Sequence, residues 1–144
     1  MKFAILLLIP LLATAEKSAE LARIEAEPHA EKRARAALDY ADETLREARD
    51  AYAKGDTAAT SARLEELEES IELADRSLKA TGKNPSRNPK NFKYAELKIR
   101  ELLRKLDGFR EEMSVADRPV MERVMAEVQK IHDALLDGIM GKRK

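Results

Sequence analysis

The 144-residue chain has no cysteine and no tryptophan, and aromatic residues make up only 4% of it. Without cysteine there is no disulfide framework, no thiolate metal site, no thiol nucleophile and no covalently attached haem of the c type. Glycine numbers only five, scattered at turns and segment ends, so no glycine-rich loop can cradle a phosphate chain. Charge of one sign is missing too: 27 basic residues face 27 acidic ones, which argues against a dedicated nucleic-acid binder. What the chain does have is 44% hydrophobic and 38% charged residues, the composition of long amphipathic helices. Its length suffices for one core and not for two.

The N-terminus reads Met1-Lys2, an apolar run from Phe3 to Leu12, then Ala13-Thr14-Ala15. A positive start, a short hydrophobic stretch and small residues at the −3 and −1 positions form a secretory signal pattern, with cleavage expected after Ala15. About 13 apolar residues fall short of the roughly 20 that span a bilayer. Residues 1–15 are therefore expected to be a removed signal peptide, and 16–144 a single helical domain exported to the periplasm or secreted.

Hydrophobic spacing carries the fold. Ala34, Leu38, Ala41, Leu45, Ala48 and Tyr52 form one stripe, and Thr60, Leu64, Leu67, Ile71, Ala74 and Leu78 form the next. Ala95, Ile99, Leu102, Leu106, Phe109 and Met113 form a third, and Met121, Val124, Val128, Ile131, Leu135 and Ile139 a fourth. Steps of three and four residues give an apolar seam on each helix, and seams of this period pack at shallow angles. The seams predict helices over about 19–53 (with a kink near Pro28), 57–80, 89–113 and 117–140. Gly55-Asp56 separates the first two, with glycine for a helix end and Asp or Thr for a cap. The segment TGKNPSRNPK, residues 81–90, is a loop by its turn chemistry. Asn88-Pro89 reads as a cap and first helical position, and Ser114 or Asp117 as the cap of the last helix. Together these predict an all-α, antiparallel four-helix bundle, or two packed helical hairpins, with homodimerisation open. The alanines of the first helix would allow a close approach to its partner.

The turn AYAKGDTAAT, residues 51–60, resembles the turn of a tetratricopeptide hairpin. The likeness covers little beyond Gly55-Asp56, and no 34-residue recurrence is present, so no peptide groove follows from it. In size, export and architecture the chain is also similar to small four-helix-bundle haem carriers. That resemblance implies a metal or haem site on His29 and His132, the two histidines of the chain. The ligand pattern of such proteins is not reproduced: the first helix offers no methionine, and Glu-x-x-His does not occur. The bottom-up expectation is no cofactor and no metal, with His29 and His132 as the alternative.

Net neutrality conceals a split. Residues 16–78 carry 17 acidic and 10 basic groups, a net of −7, and residues 79–144 carry 10 acidic and 16 basic, a net of +6. One expectation is complementarity inside the fold, an acidic second helix beside a basic third. The sharper one is a docking surface made of Lys83, Arg87, Lys90, Phe92, Lys93 and Tyr94, facing an envelope protein or an anionic surface, with no nucleic acid expected. No nucleophile elbow and no HExxH motif occurs, and the abundant carboxylates lie on solvated faces. An interaction or scaffolding protein of the cell envelope, not an enzyme, is the reading the sequence supports.

Overall fold

A computed structural model describes residues 19–141, and every regular element among them is helical. Residues 19–25 are helical and the chain breaks at 26–29. Four long helices follow: α1 (Ala30–Ala53), α2 (Thr57–Ala80), α3 (Lys90–Glu112) and α4 (Arg118–Ile139), with a 3-10 turn Val115–Asp117 leading into α4. The expected signal segment 1–15 lies outside the described residues. No helix among the described residues is long and apolar enough to cross a membrane.

Pro28 interrupts the first helix instead of kinking it, because it has no N–H to donate and clashes with the preceding turn. The break is tied down by Arg33, whose Nη1 donates to the Glu27 carbonyl at 2.7 Å and whose Nε donates to Ser77 Oγ of α2 at 2.8 Å. Ile24, before the break, still reaches the core. At the α1–α2 turn Gly55 takes φ +78°, and the Asp56 carboxylate caps α2 by accepting from the Ala59 N–H at 3.0 Å. The opposite turn is joined to it by one node. Tyr52 donates its hydroxyl to Asp117 Oδ2 at 3.0 Å and accepts from the Ser114 N–H at 2.8 Å. Its ring also meets Phe109 edge-on at 5.8 Å.

The seams are buried nearly as the spacing predicts, so Leu38, Leu45, Leu64, Leu67, Ile71, Ile99, Leu106, Phe109, Met121, Val124 and Val128 form one shared core. In α4 the register drifts. Past Val128 the buried position is His132, while Ile131 and Ile139 are only partly covered. Steps of four and three also run through 128, 132 and 135, so the seam continues on the histidine.

α1 packs against α2 and α3, and α4 packs against the same two, while α2 and α3 hardly touch. The loop between α2 and α3 therefore crosses a diagonal of the four-helix arrangement. Its Pro85 presses on Gly138 near the end of α4, where an added Cβ would lie 3.4 Å from the proline ring. A diagonal crossover makes α1 and α3 parallel neighbours. Lys105 pairs with Asp42 at 2.8 Å and Arg49 with Glu112 at 2.6 Å, in matching chain direction. α2 and α4 are parallel as well, with Arg123 between Glu65 and Glu68 at 3.2 and 3.3 Å. The expected pairing of an acidic second helix with a basic third is thus corrected. The acidic α2 faces α4, and α3 faces α1 through two ion pairs of opposite sense, Lys105–Asp42 and Arg49–Glu112.

Of the two hairpins, α1/α2 is the tighter. Ala34, Ala37, Ala41 and Ala48 are each exposed by 2% or less. With such small residues between them the backbones come close enough for Ser70 Oγ to donate to the Ala37 carbonyl at 2.5 Å.

Candidate functional site

At the end of the molecule where α1 and α3 begin, an open cleft of about 620 Å³ lies between the start of α1, the 81–89 loop and the start of α3. Glu31, Lys32 and Arg35 line it from α1, Lys83, Arg87 and Asn88 from the loop, and Lys90 and Asn91 from α3, with Leu78 and Phe92 forming its floor. Five cations and one carboxylate therefore face the same space. That carboxylate is already engaged: Glu31 accepts from Lys83 Nζ at 2.6 Å, and this hydrogen bond holds it below the usual carboxylate range.

The structure distributes the six residues proposed for docking unevenly. Lys83, Arg87 and Lys90 meet at the cleft, and Arg87 and Lys90 are exposed and make no ion pair among the described residues. Phe92 is buried at 4% exposure and belongs to the core, so it offers a partner only an edge at the cleft floor. Lys93 is exposed but lies outside the cleft lining. Tyr94 is half-buried and covered by the Arg35 guanidinium, 4.3 Å from the ring centroid, a cation–π contact that removes its face from solvent. Arg35 also donates to Asn91 Oδ1 at 3.2 Å. Lys32 and Arg35 are the site residues that sequence reasoning missed. Their i, i+3 spacing at the start of α1 was visible and the antiparallel α1/α2 hairpin brings them to the loop, but their proximity to Lys90 and Asn91 follows only from the α1/α3 pairing.

The two histidines go to different places. His29 is exposed and contacts Glu27 Oε1 through Nδ1 at 3.0 Å. His132 is buried, with Nε2 2.8 Å from Glu96 Oε1 of α3 and Nδ1 3.5 Å from Gln129 Nε2. Arg100 adds its Nε to the same Glu96 oxygen at 2.9 Å. Burial raises the affinity of Glu96 for a proton, but the hydrogen bonds from His132 and Arg100 outweigh it, and the carboxyl is held below its usual range. With its Nε2 on a carboxylate, His132 serves as a clasp between α3 and α4. Among the described residues no group of three or more His, Asp or Glu is gathered as metal ligands.

A second buried carboxylate lies between α1 and α2. Tyr40 donates its hydroxyl to Glu66 Oε1 at 2.5 Å, and Arg63 Nη1 lies 3.0 Å from Oε2. Burial first, then the bond to Glu66, pushes the Tyr40 phenol well above its ordinary value and keeps it a neutral donor. Glu66, Ser70, Leu73 and Ser77 are all buried and repeat at steps of four, three and four, a second and partly polar stripe beside the apolar seam. No family model, curated protein or solved structure matches the chain.

Proposed function

We propose that the chain is exported, loses residues 1–15, and acts without catalysis as an interaction protein of the cell envelope, docking its basic end onto an anionic surface. The observation that carries this reading is the imbalance at the cleft. Arg87 and Lys90 project from the loop and the start of α3 with no ion pair among the described residues, and together with Lys32, Arg35 and Lys83 they face one space that holds a single carboxylate, Glu31. Unmatched cations grouped at one end attract anions, and an exported protein meets these as the headgroups of anionic lipids.

The test is co-sedimentation of the mature chain with phosphatidylglycerol vesicles. Binding at low salt that disappears at high salt is the expected result, and no binding at low salt overturns the reading. Export has its own check. A product beginning at Glu16 is expected by mass spectrometry, and an intact Met1 on the exported material overturns it.

A further inference from the structure

We infer that the basic cleft binds a compact ligand carrying several phosphate groups, with Arg87 and Lys90 as its main contacts. The inference rests on the reading that this end of the molecule is the contact surface, and it narrows that surface to a ligand class. Three separate elements bring cations to one space: Lys32 and Arg35 from α1, Lys83 and Arg87 from the loop, and Lys90 from α3. The lone carboxylate there, Glu31, is taken up by Lys83, so most of the positive charge is left for a ligand.

Size selects among anions. A space of about 620 Å³ is that of a small-molecule site. A phosphate group concentrates up to two charges and three acceptor oxygens on one atom, so two or three of them fit there. An acidic peptide of equal charge would extend well beyond it. The Arg87 guanidinium supplies a planar fork matched to phosphate oxygens, and Lys90 a compact point charge. The phosphates can belong to a lipid headgroup or to a soluble molecule, since the contacts are the same.

The probe is sodium tripolyphosphate, titrated calorimetrically into the mature chain at low salt. One-to-one binding is expected, weakened by about tenfold or more in an R87E/K90E double variant. A control double variant, R46E/R104E, changes net charge equally at exposed residues outside the cleft and is expected to bind almost as the parent does. Circular dichroism of each variant checks the fold. Equal weakening in both variants would reduce the effect to net charge and overturn the site. No heat of binding at millimolar tripolyphosphate would overturn the ligand class, and if phosphatidylglycerol vesicles still bind, the docking reading survives without it. Tripolyphosphate binding in a chain that ignores vesicles supports the ligand class with a soluble source and ends the membrane reading. Displacement from vesicles by tripolyphosphate supports both.

Discussion

Two buried carboxylates hold the two hairpins together, and they are built on the same plan with different parts. In α1/α2, Glu66 is reached by a ring group from the neighbouring helix, Tyr40, and by an arginine one turn away, Arg63. In α3/α4, Glu96 is reached by His132 and by Arg100. The difference lies in the arginines. The Arg63 side chain is 9% exposed and the Arg100 side chain 61%. A buried arginine depends on its carboxylate, whereas an exposed one can turn to water. The α1/α2 hairpin is therefore a closed unit, and the α3/α4 hairpin is held by a clasp that solvent reaches.

Glu66→Ala is the most severe way to break this contrast. It strands Arg63 as an uncompensated buried charge and is expected to cost about 3–5 kcal/mol, read as a lower midpoint in denaturant unfolding. A loss below about 1 kcal/mol, the scale of an exposed pair, would show that Arg63 finds water and that the hairpins do not differ. Ala37→Leu comes next, at about 2–3 kcal/mol. Ala37 has no exposed surface and its carbonyl accepts from Ser70 across the interface, so a larger side chain must push the helices apart. Unchanged stability would mean that the close approach of α1 and α2 is not enforced.

Glu96→Gln sharpens the comparison through pH. The carboxyl is held below its unfolded value of about 4.3, so the stabilisation it brings is fully present above that pH and lost as pH falls through the lowered folded value. The substitution is expected to cost about 1–2 kcal/mol at neutral pH and to flatten the loss of stability below about pH 4 relative to the parent. Parallel acid profiles for the two proteins would remove Glu96 from the account. The smallest effect belongs to Lys105→Ala. Its pair with Asp42 leaves the two side chains 38% and 34% exposed, so about 0.5 kcal/mol is expected, shrinking at high salt. A much larger loss would make the α1/α3 contact more than a surface pairing.

The four helices and most of their ends were legible because three-and-four spacing, Gly55, Asp56 and Pro119 act locally. Neighbour order was not legible. The acid-rich second helix and base-rich third suggested adjacency, yet a loop of this length crosses a diagonal as readily as it joins neighbours. Phe92 was readable and was misplaced among docking residues. It continues the third seam backward through 92, 95 and 99, and that is why it is buried. His132 was hidden because the seam after Val128 can pass through 131 or 132, and hydrophobicity favours the isoleucine until Glu96 supplies a partner from another helix. Neither carboxylate shows in the sequence as buried, because the ring group that covers each, Tyr40 or His132, comes from another helix.

The diagonal crossover also sets the direction of the backbone field. Peptide dipoles leave partial positive charge at a helix N-terminus, and parallel neighbours place two such poles side by side. At the far end the pole of α2 is capped by the Asp56 carboxylate, and α4 has Asp117 at its cap position without a side-chain cap bond. At the cleft end α1 has His29 at its cap position and Glu31 in its first turn, whereas α3 has Pro89 at its cap position, no side-chain cap bond and no acidic residue in its first turn. The pole of α3 thus has no acidic residue of its own, and it borders the cationic cleft. Acetylating every lysine would leave part of that attraction in place, since it resides in the backbone as well as in Arg35 and Arg87.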